Sequence, residues 1–315
     1  MPQQTNNSQK YWAQRARQDK IKVIKIGENG INELKKLLKR NLDDVKKQIK
    51  DFYEKYGDES KYAENLSYSE WQRYKAKLKA KAKANPQDKT LQRLAKQNIP
   101  KYRIDRLKAL EIDLQIQLTE VTKAQQAGIH KTLEDVAKVS QATTALRFKR
   151  NLDVAFDKIA SRKMQKIISA DWVGPMNWSQ RLWRDRDKVG KKVTKILETG
   201  IPQGKSMQDM SRELQHATHS SFFDAFRLIR TESAHVDSQV LIDSFKQAQK
   251  ELGYTMYIYD AFMDDRTSQI CKDLDGKKFL IDDAEIGVNF FPMHPNCRST
   301  CVLDESSIDE SLIEL

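Results

Sequence analysis

Three thiols and an imidazole stand close together near the C-terminal end of the chain. Cys271, His294, Cys297 and Cys301 have the spacing C-x22-H-x2-C-x3-C. Thiolates and neutral imidazole are the usual protein ligands of tetrahedral Zn2+. These four residues are therefore candidate zinc ligands, able to staple a unit that has little core of its own. The paired C-x2-C knuckles of common zinc modules are absent. The competing reading is three small buried thiols, or two that pair transiently. Three cysteines within 31 residues make no disulfide framework and fit a reducing compartment.

Other polar groups bear on catalysis. Glu232 and His235 are i and i+3 on one predicted helix, the geometry of a Glu-x-x-His metal pair. Only one such pair is present, and Arg230, Thr231, Glu232 and His235 read more simply as a polar network tying that helix to the C-terminal unit. Asp264, Asp265, Arg266 and Thr267 sit at a predicted strand-to-helix corner, where Asp265 or Thr267 would serve as an N-cap. Glu232, Asp265 and His294 include the residue types of an acid/base set, but no spacing requires one. Gly-rich phosphate loops, G-x-S-x-G, H-E-x-x-H and Walker patterns are missing, and the expectation is a protein that is not an enzyme.

The elements that must position these residues are mostly helices. Ile31, Leu34, Leu38, Leu42, Val45, Ile49, Phe52 and Tyr56 recur at steps of three and four and predict a helix over 31–56. Residues 1–10 read as disordered, with a separate short helix over 11–26. Ser67 or Ser69 caps a helix that Asn85-Pro86 stops. Ile104, Leu107, Leu110, Leu114, Leu118 and Val121 mark a helix to about Gln126, an antiparallel partner for 31–56. Further helices are predicted over 133–168, 178–198 with Asn177 as cap, 207–216 after Ser206, and from Ser220 or Ser221 to Leu252. After Gly253 the texture changes. Residues 254–259 are β-branched and aromatic and read as a strand. Asp275-Gly276 signals a hairpin turn, and 278–281 and 301–303 read as short strands. The fold class is mainly α, with a small C-terminal α+β domain. The expected organisation is an N-terminal helical region 1–130, a central helical region 131–220 and the α+β domain 221–315.

Charge separates these regions. The chain carries +12 overall, but residues 251–315 hold fourteen acidic and five basic side chains, leaving +21 on the first 250. A basic field favours polyanions. Lys75, Lys77, Lys79, Lys81 and Lys83 are candidate nucleic-acid contacts, although their alternation scatters them over two helix faces. No apolar run approaches the ~20 residues of a membrane span, and the polar start has no secretory apolar core.

The C-terminal residues also resemble a known family. D-x-R-T-S-x-x-C-x-x-L-D-G-K-x-F, from Asp264 to Phe279, includes Arg266, Thr267, Cys271, Asp275 and Gly276. G-x-N-F-x-P-x-H-P-N-C-R-S, from Gly287 to Ser299, includes Pro292, His294, Pro295, Asn296, Cys297 and Arg298. Together they are similar to the C-terminal domain of phage minor head, or head morphogenesis, proteins of the Mu F-like family. Arg230-Thr231-Glu232 with His235 looks like that family's other hallmark. Tyr11-Trp12, Arg106-Leu107, Trp178-Ser179-x-Arg181-x-Trp183 and Gly200 to Ser206 are similar to its Gram-positive siphophage type. Cys301 falls where the family has a plain strand residue, so the resemblance does not support a four-ligand site, and Cys271, His294 and Cys297 remain available. It implies a low-copy minor capsid protein at the portal vertex, supporting procapsid assembly and DNA packaging or delivery. The implied partner is the portal protein, with major capsid or scaffolding protein and double-stranded DNA as further candidates. The implied location is the virion, and host cytoplasm during assembly. The rivals are a non-specific DNA-binding protein of the capsid interior, ejected with the genome, and a zinc-dependent hydrolase carried in the virion.

Overall fold

A long buried stripe runs through Ala16, Lys20, Val23, Gly27, Ile31, Leu34, Leu38, Val45, Ile49 and Phe52. Steps of three, four and seven place these residues on one helix face. In the computed structural model they belong to a single helix, α1, Pro2–Tyr56. The structure describes residues 2–56, 59–97, 99–152, 160–172, 174–309 and 311. The later helices are the single turn α2 (Glu59–Tyr62), α3 (Tyr68–Ala84), α4 (Lys89–Lys96), α5 (Arg106–Leu152), α6 (Ser161–Ile168), α7 (Trp178–Gly200), α8 (Met207–Leu252) and the short α9 (Gln269–Leu274). Strands β1 (Met256–Asp260), β2 (Lys278–Leu280) and β3 (Thr300–Leu303) form an antiparallel sheet in the order β2-β1-β3. Tyr257 pairs with Phe279 across one side of β1, and Tyr259 with Cys301 across the other. The expected fold class, long helices followed by a small α+β region, is what is observed.

Several expected boundaries do not exist. Residues 1–10 were expected to be disordered, yet α1 begins at Pro2, and Gln9 Nε2 donates to the Leu303 carbonyl at 3.0 Å while its Oε1 accepts from the Glu305 amide. The separate helices 11–26 and 31–56 are one helix, because Gly27 and Gly30 are contact points. A Cβ on Gly27 would touch the Ser233 side chain at 3.4 Å, and one on Gly30 would overlap that of Thr132. Likewise α5 passes through Gly128, and α8 continues past the break expected near Ser220. Residues 153–159 of the predicted helix 133–168 lie outside the described residues. The caps at Ser67 and Asn177 are present as full capping boxes, with Glu70 and Gln180 as reciprocal partners.

The chain packs as two compact units that differ from the three successive regions read from sequence. One comprises residues 1–32, 129–170 and 226–315, the other 33–128 and 171–225. The long helices α1, α5 and α8 each contribute to both, so packing cannot follow chain order. In the second unit Val45, Ile49 and Phe52 meet Leu110, Leu114, Val193, Leu197, Met210 and Leu214. The Arg186 guanidinium is buried there, bonded to Asp88 at 3.1 Å and to the Gln115 carbonyl at 2.8 Å.

In the first unit Tyr257 and Tyr259 are fully buried, in one core with Phe245, Ile281, Phe290, Phe291, Cys297 and Cys301. A second constraint is ionic. The Lys20 ammonium is buried 2.8 Å from an Asp237 carboxylate oxygen and 3.9 Å from the centre of the Phe291 ring. Ser140 Oγ donates to the other Asp237 oxygen at 2.6 Å. Asp237→Ala would leave a buried ammonium without its counter-charge, and a loss of about 3–5 kcal/mol is expected in denaturant unfolding. Pairing it with Lys20→Met should recover most of that loss. Gly30→Ala should cost about 1–3 kcal/mol by overpacking against Thr132. Gly128→Ala meets nothing within 4 Å and should stabilise by roughly 0.5–1 kcal/mol, the helix-interior gain of Ala over Gly.

Candidate metal centre

A proline and an asparagine shape the site. His294, Pro295, Asn296 and Cys297 form a turn closed by the Cys297 amide donating to the His294 carbonyl at 3.1 Å. Pro295 supplies the fixed φ of the second position, and Asn296 has φ 64° at the third. Those are the requirements of a type II turn, whose third position tolerates Gly or Asn. The turn brings the side chains of its first and fourth residues, His294 and Cys297, to one side.

Cys271 arrives from α9. Ser268 caps this six-residue helix, its Oγ accepting from the Cys271 amide at 3.3 Å. The cap is thus Ser268, and not Asp265 or Thr267 as the sequence suggested. Asp265 is exposed, while Thr267 Oγ1 accepts from the Asp264 amide and donates to the Phe262 carbonyl. Asp275-Gly276 is also not a two-residue hairpin turn. β1 and β2 are separated by the whole α9 excursion, and Asp275 is the C-cap of α9, its Oδ1 accepting from the Ala261 amide at 2.8 Å. Gly276 follows at φ 75°, its amide bonded to the Tyr259 carbonyl.

The donor atoms of Cys271, His294 and Cys297 lie within 4.8 Å of one another. Cys271 Sγ is 3.8 Å from Cys297 Sγ and 3.3 Å from His294 Nε2. His294 Nδ1 is 2.9 Å from the Pro295 carbonyl. A carbonyl only accepts, so Nδ1 carries the proton and Nε2 presents a lone pair toward the thiols and Ser268 Oγ, 2.8 Å away. Tyr259 donates its buried hydroxyl to Cys271 Sγ at 3.3 Å. The Cys297 thiol, with Ser268, Ser299 and Tyr259 after it, pulls Cys271 down to about 4 against the opposing effect of burial. The same bond and burial push Cys297 up. Ser268 and Tyr259 were not singled out from sequence; a serine three residues before a cysteine was the available sign, as an N-cap.

The fourth candidate, Cys301, is outside this group. It is fully buried on β3 in the aromatic core, and burial raises its pKa well above the ordinary thiol value. Glu232 and His235 are buried within α8. Arg230 turns instead to Glu28 of α1, at 2.7 and 3.3 Å, and Thr231 Oγ1 donates to the Arg227 carbonyl. Arg298 grips Asp264 with two bonds of 2.7 and 2.5 Å, which holds that carboxyl well below its ordinary range, and Arg266 lies 3.8 Å from the same carboxylate. His294, Cys297 and Arg298 border a cleft of about 860 Å3, with Lys20, Arg230 and Arg266 also on its wall. Among the candidate nucleic-acid contacts, Lys77 and Lys81 are bonded to Asp113 and Glu120 of α5. Lys75 lies 5.0 Å from the centre of the Trp71 ring, and Lys79 and Lys83 are exposed. Among the described residues no helix is long and apolar enough to cross a membrane.

Residues 191–302 match the family model described as phage Mu protein F like protein. The chain is also 28% identical over 135 residues to NAD(+)--arginine ADP-ribosyltransferase EFV of Enterococcus faecalis (strain ATCC 700802 / V583). That match covers 42% of this chain and 27% of the relative. The chain thus spans little more than a quarter of the length of the curated relative it matches. No solved structure matches.

Asn296 supplies a direct test of the turn. Asn296→Gly should change stability little. Asn296→Val places a β-branched side chain at positive φ, and a cost of about 1–3 kcal/mol is expected in chemical unfolding.

Proposed function

Because residues 191–302 belong to the phage Mu protein F like family, we propose that the chain is a minor capsid protein of a phage head, held at the portal vertex during assembly and DNA packaging. The observation that carries this reading is the match itself, which spans the end of α7, α8 and the sheet region. The local structure agrees with a scaffolding role. The polar residues of the motif are largely occupied in fixing backbone. Asp264 and Thr267 bond the loop before α9, Asp275 bonds Ala261, and Asn289 bonds both the Glu285 amide and the Asp283 carbonyl. These contacts hold a surface in shape and need no catalytic role for the residues that make them. The relative's printed name is that of a transferase, but most of that protein lies outside the match.

The turn after β2 presents Asp282, Asp283 and Glu285 to solvent. An acidic surface of this kind repels DNA and suits a basic protein partner. A basic face of the portal protein is the counterpart we assign to it. Co-expression with the portal protein of the same phage, followed by size-exclusion chromatography at moderate and high salt, tests the reading. Co-elution that survives high salt is expected, and charge reversal at Asp282, Asp283 and Glu285 should weaken it several-fold. Separate elution at both salt concentrations would overturn the portal assignment. DNA carried in the peak at moderate salt and shed at high salt would instead favour genome binding, with the exposed Lys79 and Lys83 as its first candidate contacts.

A further inference from the structure

A tetrahedral zinc ion makes specific demands on its ligand atoms. With Zn–S at ~2.3 Å and Zn–N at ~2.0 Å, two sulfurs stand ~3.8 Å apart and a sulfur and a nitrogen ~3.5 Å. The Cys271–Cys297 and Cys271–His294 separations of 3.8 and 3.3 Å match those edges closely. The donors come from two segments that the Arg298–Asp264 ion pair already joins at their flanks. One is the six-residue α9, whose Ile270, Lys272 and Asp273 are exposed, and the other is the 294–297 turn. The imidazole is already in the right tautomer, because Nδ1–H is spent on the Pro295 carbonyl. That is the outer contact a metal-ligating histidine ordinarily makes. Tyr259 supplies a hydrogen bond to the Cys271 sulfur.

We propose that Cys271, His294 and Cys297 form a zinc centre, with Cys301 excluded and a water molecule from the adjoining cleft as fourth ligand. Two thiolates and an imidazole select zinc over the hard cations Mg2+ and Ca2+. His294 and Cys297 both line that cleft, so a water in it has access to the open position. The ion would clamp α9 onto the turn and so fix the Asp264–Arg266 loop before α9 against Arg298 after the turn. This inference is independent of the portal assignment and stands or falls separately.

The test uses the full-length chain. Purified without chelator from zinc-supplemented cells, it should hold about one zinc per chain, and chelation should lower its melting temperature. The chain reloaded with Co2+ should show thiolate-to-cobalt charge-transfer absorption and the intense visible bands of a tetrahedral site. Cys271→Ser or Cys297→Ser should lose about half of the charge-transfer intensity, two thiolates becoming one, while Cys301→Ser should leave it unchanged. Absence of bound zinc, a weak octahedral cobalt spectrum, or equal loss in Cys301→Ser would each overturn the proposal. Should the Cys271 and Cys297 variants fail to fold, the wild-type cobalt spectrum and the Cys301→Ser protein decide the matter.

Discussion

An ammonium group cannot be buried at an arbitrary place. Removing it from water costs several kcal/mol, and only close counter-charge and hydrogen bonding return that energy. Lys20 meets this condition in one arrangement, with Asp237 of α8 beside its nitrogen, Ser140 of α5 holding Asp237, and the face of Phe291 against the charge. Four segments distant in sequence must be in register for that to occur. Such a pair adds little net stability, but a slip of any one segment leaves a buried charge unpaired. Phe291 lies three residues before His294, so the position of the metal-ligand turn is indexed to the helices through this contact.

The sheet region needs that support. Its strands are five, three and four residues long, at or below the commonest strand length of about five or six residues. It gains a core by placing Tyr257 and Tyr259 on one face of β1, with the Phe245 ring 6.1 Å from that of Tyr257. Its edge strand β3 is tied to α1 by Gln9, and the end of its central strand β1 by Arg17 on Asp260, at 2.7 and 2.6 Å. Sequence-local α+β structure is thus completed by the far end of the chain.

The helices were legible because apolar spacing at three and four is a direct consequence of helix geometry. Their lengths were not. A glycine inside a periodic run reads as a break, and only a neighbouring helix decides whether it is a contact point instead. At Gly27 and Gly30 the neighbours are Ser233 and Thr132, which lie more than two hundred and more than one hundred residues away and leave no local sign. The stripe was further disguised because a lysine and a glycine fill two of its buried positions. At the candidate site the ligand types were legible, since few roles call for thiols and an imidazole together. Their number was not: Cys301 has the right type and spacing, and only the fold, which gathers Cys271, His294 and Cys297 without it, separates it from the other two thiols. The sequence also named Asp265 and Thr267 as caps, because Asp, Thr and Ser all satisfy the chemistry of an N-cap and spacing alone does not choose among neighbours.

The turn at His294–Cys297 explains why this region is recognisable at all. Two side chains separated by two residues can be brought together by one turn of helix or by a tight reverse turn. A type II turn does it in four residues, but only if the second tolerates a fixed φ and the third a positive one. Proline and asparagine satisfy those conditions, and His and Cys occupy the two positions left. The P-x-H-P-N-C-R run is therefore determined almost residue by residue: backbone geometry fixes Pro295 and Asn296, ligand chemistry suits His294 and Cys297, and Arg298 locks the turn to the Asp264 loop. A motif so constrained by local geometry is recognisable across a chain whose helices, free to exchange one apolar residue for another, carry a far weaker signature.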